Sequence, residues 1–151
     1  MEPTFVSRPA FTVVGMKYRG RNEQREIPQL WDRFMPRSGE IQHRVDPHVA
    51  YGVMGNYDMA TGEFDYLAGF EVEGAAEIPA GMAHWDVPAQ TYAVFPCTLP
   101  TLMDVIHQIN QAWLPASGRQ RAEGPEFEFY DERFDPSDPS SAMYIYVPLR
   151  A

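Results

Sequence analysis

Shifting the sequence by 79 positions lays one half of the chain on the other. Ala10 falls on Ala89, Thr12 on Thr91, Ile27 on Ile106 and Gln29 on Gln108. Pro36, Ser38 and Gly39 fall on Pro115, Ser117 and Gly118, and Tyr51 falls on Tyr130. These are eight identities between Ala10–Val72 and Ala89–Ala151, where average residue usage gives roughly four by chance. The order of elements says more than the count, because each element of one half lands on an element of the other.

In the first half, Ala10–Tyr18 is apolar, small and β-branched, which predicts a strand. Ile27, Leu30 and Phe34 recur at helical spacing, and Pro36, Ser38 and Gly39 stop that helix. Val49–Met54 and Phe64–Val72 predict two more strands, with Asn56–Gly62 as the turn between them. In the second half, Thr91–Phe95 predicts a strand, and Ala83–Val87 reads as a short strand or an extended lead-in. Leu102–Leu114 predicts a helix that buries Leu102, Val105, Ile106, Ile109 and Trp113, with Thr101 as its N-cap. Phe127–Tyr130 and Met143–Leu149 predict the last strands. The expected fold is α+β: a duplicated β-α-β-β module, about residues 10–73 and 89–151, within one domain spanning 1–151. The modules pair about a pseudo-two-fold axis into an antiparallel sheet with two helices, and the seam between them is the natural place for a cleft.

Composition narrows the function. The chain has 151 residues, enough for one core. A net charge of −9 argues against direct nucleic-acid contact, which needs clustered Lys and Arg, and suits attraction of cations. The single cysteine, Cys97, excludes an internal disulfide. His43, His48, His84 and His107 are scattered without zinc spacing, so no metal and no cofactor is expected. No apolar run is long enough for a membrane span, and the first residues lack the pattern of a signal peptide, so a cytoplasmic location is expected. Aromatics at 13% and eight methionines fill cores, and they also line adaptable binding sites.

Several segments together resemble a known family. They are Tyr92-Ala93-Val94-Phe95, then Trp113-Leu114-Pro115 with Ser117-Gly118, then Phe127-Glu128-x-Tyr130, then Ile145-Tyr146-Val147-Pro148-Leu149. Tyr66-x-Ala68-Gly69-x-Glu71-Val72 adds a mid-chain strand. The chain resembles the gyrase-inhibitor-like domain, which is also the effector-binding domain of AraC-type and MerR-type multidrug-sensing regulators. The resemblance implies a duplicated β-α-β-β fold with a central aromatic cleft for lipophilic, often cationic compounds. It implies that Glu128 meets the ligand's charge. Pro96-Cys97-Thr98 departs from the family pattern at one end of the cleft. No helix-turn-helix segment is expected before residue 5, so contact with DNA would fall to a separately encoded partner.

Strand alternation puts Phe127 and Phe129 on one face and Glu128 with Tyr130 on the other. Two readings stand for that second face, solvent or cleft. If it is cleft, the shift of 79 sets Val49 and Tyr51 opposite Glu128 and Tyr130, so that one wall is acidic and the other apolar. Of Tyr92 and Phe95, one reaches the cleft and the other the helices. Trp113 and Phe70 complete the candidate ligand-binding set of Glu128, Tyr130, Trp113, Tyr51, Tyr92, Phe95, Val49 and Phe70. Glu71 and Glu73 read as a solvated strand end. The expected function is binding of an apolar or cationic amphipathic compound by a stand-alone domain. Two alternatives share the fold: a hydrolase of cyclopropane-bearing electrophiles with Glu128 as catalytic residue, and a gyrase-inhibitor-like interaction protein.

Overall fold

The computed structural model describes residues 2–74 and 77–150. Eight strands occur among the described residues: β1 (Thr4–Arg8), β2 (Phe11–Gly20), β3 (Ala50–Gly55), β4 (Phe64–Val72), β5 (Ala83–Val87), β6 (Gln90–Cys97), β7 (Glu126–Tyr130) and β8 (Met143–Leu149). They form one antiparallel sheet in the order β1-β6-β8-β7-β3-β4-β2-β5. Helix α1 (Glu26–Phe34) follows β2 and runs into a 3-10 turn, Met35–Glu40. Helix α2 (Leu102–Gln108) follows β6, passes through a π turn at Ile109–Trp113, and continues as α3 (Leu114–Ser117). Pro115 is tolerated because it lies in the first turn of α3, and Gly118 ends the helix at φ 72°. Thr101 holds the N-cap position, but its hydroxyl serves Thr98 rather than a helix N–H.

Each half is a β-α-β-β module, and the modules join through β3 and β7. The outer strands are exchanged. Strand β1 precedes β2 in the chain but pairs with β6 of the other module, and β5 precedes β6 but pairs with β2. Only Pro9-Ala10 links β1 to β2, and only Pro88-Ala89 links β5 to β6. These connectors are identical and again 79 residues apart, so the repeat begins at β1, which the residue pattern alone did not reveal as a strand. Six strand spacings separate β1 from β2 in the sheet order, about 29 Å if flat. Arg8 and Phe11 are three residues apart and reach at most about 11 Å. The sheet must therefore curl until its two ends approach.

The side chains show this curl. On the inner face, the Phe11 ring of β2 lies 5.5 Å from Phe127 of β7, although β4 and β3 separate those strands. Phe127 also stacks on Tyr146 at 4.5 Å and meets Tyr92 edge-on at 5.2 Å. Such pairs contribute about 0.5–1.5 kcal/mol each beyond area burial. Arg8 on β1 closes one end of this core by donating to Tyr51 Oη at 3.2 Å and to Glu71 at 3.0 Å on β4. Gly15 and Gly69 are cross-strand partners at the sharpest approach. A Cβ on Gly15 would stand 1.8 Å from the Ala68 carbonyl oxygen. The outer face carries the helices. Leu30 and Phe34 of α1 pack on Tyr66, Ala68 and Phe70, and Ile109 and Trp113 pack on Phe95, Met143 and Ile145.

Candidate functional site

The repeat register changes at the seam. Leu67 and Tyr146 are 79 apart and equivalent, yet their strand partners are Val53 and Phe127, which are 74 apart. Val53 and Phe127 also pair with each other, so the pseudo-two-fold axis passes through them. The hairpin loop from 56 to 63 is shorter than that from 131 to 142, which moves β7 relative to β3. A slip of five is odd, and an odd slip exchanges the faces of a strand. Val49 and Tyr51 therefore do not oppose Glu128 and Tyr130. They lie on the inner face, with Phe127, Phe129 and Tyr92. Glu128 and Tyr130 lie on the helix-covered face, where the equivalent of Glu128 is Met54 and its cross-strand neighbour is Gly52. The seam is still acidic on one side and apolar on the other, with methionine in place of valine.

Glu128 is 6% exposed. Tyr66 donates to its Oε1 at 2.6 Å and Tyr130 to the same oxygen at 2.9 Å. Oε2 has no side-chain donor, and no basic side chain pairs with Glu128, among the described residues. Burial pushes the carboxyl up to about 7, against the two tyrosine hydrogen bonds that favour the charged form. Both hydroxyls are in turn pushed well above the usual tyrosine range, by burial first and then by the charge of Glu128. They remain protonated donors. Gly52 makes this contact possible, because a Cβ there would stand 2.1 Å from Tyr66 Oη and 2.5 Å from Glu128 Oε1. A glycine inside a strand marks such a close approach.

Trp31 closes the seam from above. Its position on α1 carries it across the axis, where its Nε1 donates to Tyr66 Oη at 2.9 Å and its ring meets Tyr130 edge-on at 5.7 Å. Trp31, Tyr66 and Gly52 are site residues that the local sequence pattern did not single out. The other expected residues go elsewhere. Phe95 lies under the second helix against Trp113 at 5.0 Å, and Phe70 lies under α1 against Phe34 at 5.9 Å. Tyr92 is in the inner core, where its buried hydroxyl has no hydrogen-bond partner among the described residues. Val49, Tyr51 and Glu71 line a separate cavity of about 340 Å³ on the inner face. There Tyr51 donates to Glu71 at 3.1 Å and accepts from Arg8, so the polar groups satisfy one another. Glu71 is thus a structural partner of Arg8, not a solvated strand end. The seam holds the buried carboxylate that has no cationic partner among the described residues.

An eight-stranded sheet built from two β-α-β-β modules, each extended by one exchanged outer strand, with a buried glutamate at the seam, defines the gyrase-inhibitor-like effector-binding domain. The chain belongs to the integron-associated effector binding protein family (Cass2), whose model matches residues 4–149. It is 43% identical over 152 residues to the transcriptional regulator BrlR of Pseudomonas aeruginosa, covering 99% of this chain and 56% of that protein. The chain therefore spans little more than half the length of that regulator. Among solved structures, SAV2435 bound to tetraphenylphosphonium superposes with a TM-score of 0.76 at 20% identity, covering 100% of this chain and 95% of that one. An integron cassette protein from Vibrio cholerae superposes with a TM-score of 0.65 at 22% identity, covering 99% and 96%. These two likenesses are of fold. No helix among the described residues is long and apolar enough to cross a membrane.

Proposed function

We propose that this effector-binding domain takes lipophilic monocations in the seam, with the charge on Glu128 and the apolar body against Tyr66, Tyr130, Met54 and a displaced Trp31. The carrying observation is a buried carboxylate with no basic partner at the floor of an aromatic seam. Such a group disfavours its own charge until a cation supplies the missing partner. Ring faces attract the same ligands through their quadrupoles, and the net charge of −9 raises the local concentration of cations. Trp31 is held by one hydrogen bond and edge contacts, so it is the group that moves when a ligand enters. The likeness to a protein bound to tetraphenylphosphonium and to a transcriptional regulator supports a sensing role. The ligand-bound state would then be passed to a DNA-binding element, since this acidic chain is unsuited to phosphate contact itself.

The test compares tetraphenylphosphonium with uncharged triphenylphosphine oxide by calorimetry at pH 8, with tryptophan fluorescence of the wild type and of Trp31→Phe as a second readout. The cation is expected to bind and to change the emission of the wild type, a change that Trp31→Phe should lose. The oxide is expected to bind at least about tenfold more weakly. Equal affinity for the two would refute a charge-selecting seam.

A further inference from the structure

Glu128 is not alone on the floor of the seam. Glu126 shares its face, about 6.7 Å along the strand, and its cross-strand partner is Met54. Its carboxylate is held differently. Arg121, on the loop after α3, pairs with Glu126 Oε2, and Tyr57 donates to Oε1 at 3.1 Å. The same guanidinium also donates to Asn110 Oδ1 in the π turn. The shift of 79 that relates the helices carries Trp31 onto Asn110. Each helix therefore covers one glutamate from the same position: α1 covers Glu128 through Trp31 and Tyr66, and the π turn covers Glu126 through Asn110 and Arg121. The two covers differ in charge. Glu126 has a cation and Glu128 does not. The Arg121 side chain is 34% exposed, so it remains open to solvent while it pairs with Glu126.

We propose that Arg121 sets the charge number of the ligand. By neutralising Glu126 it leaves one uncompensated carboxylate in the seam, so the cleft takes monocations in preference to dications. This rests on the reading of Glu128 as the cation partner. A dication lying along β7 brings its second charge to Glu126, where Arg121 already stands. It must either expel Arg121 or bury a charge beside a like charge, and both weaken binding. Without Arg121, two carboxylates on one strand face, with backbone positions about 6.7 Å apart, are left to meet the two charges of a bipyridinium.

The test uses methylphenylpyridinium, a monocation, and methyl viologen, a dication of nearly the same shape, each titrated into the full chain at pH 8. The wild type is expected to prefer the monocation by at least about tenfold. Arg121→Gln is expected to narrow or invert that ratio by at least about tenfold, and Arg121→Lys to keep it. Glu126→Gln leaves Arg121 as an uncompensated cation, so it is expected to weaken monocation binding at least about threefold and to retain rejection of the dication. Glu126→Gln thereby tests the idea even if Arg121→Gln fails to fold. An unchanged ratio in folded Arg121→Gln, or undiminished monocation binding by Glu126→Gln, would overturn the role of Arg121. Failure of the wild type to bind the monocation would instead overturn the reading of Glu128, and this proposal with it.

Discussion

Glu128→Gln is expected to weaken tetraphenylphosphonium binding at pH 8 by at least about 30-fold, since removing one member of a buried charge pair typically costs about 2–5 kcal/mol. Glutamine keeps the shape and still accepts from Tyr66 and Tyr130, so the loss reports charge. The wild type is expected to lose affinity in acid. The cation needs the ionised carboxylate, and burial sets that group at about 7. Affinity should be level above about pH 8 and fall by about tenfold per unit below pH 6. The variant, with nothing to ionise there, should show a flat profile over the same range. Calorimetric titration of both proteins from pH 5 to 9 checks both expectations.

The second large effect is on stability. An unfolded glutamate ionises near pH 4.3, whereas Glu128 in the fold does so near 7. Between those values the folded protein binds the proton and the unfolded chain does not, so the contribution of this group falls as pH rises. It is full below about pH 4 and has been lost above about pH 7, a change of about 4 kcal/mol. Glu128→Gln removes the dependence. The variant should therefore gain about 3 kcal/mol on the wild type between pH 4.5 and pH 8, measured as the difference of two urea unfolding curves at each pH. Other titrating groups are common to both proteins and cancel in that difference.

The parts of this fold that follow local periodicity were legible in the sequence. Phe64–Val72 and Met143–Leu149 carry alternation strong enough to give strands with those bounds. The same alternation separates Glu128 from Phe127 and Phe129. The slip at the seam was not legible, because it arises from unequal loops rather than from the strands. One shift of 79 fits β2, β4 and the helices, and only pairing shows that β3 and β7 follow 74. The slip is odd, so Val49 and Tyr51 moved to the far face and took half of the expected cleft with them. Tyr66 lies in a strand that was legible, yet its bond to Glu128 spans 62 residues and depends on the missing side chain of Gly52. Gly52 within an apolar strand was the available signal of that approach. Strand β1 was missed because five mixed residues carry little pattern. The matching Pro9-Ala10 and Pro88-Ala89 connectors mark it once the pairing is known.

If a ligand's positive charge is met by a carboxylate that the fold keeps near half-protonation at neutral pH, binding must release a proton. Proton release on binding measures this directly. Tetraphenylphosphonium is titrated at pH 6 in buffers of different ionisation enthalpy, and the slope of observed enthalpy against buffer enthalpy gives the protons released. A carboxyl titrating near 7 predicts about 0.9 proton released per cation at pH 6 and almost none at pH 9. Binding at pH 6 without proton release would mean that Glu128 is not the partner of the cation.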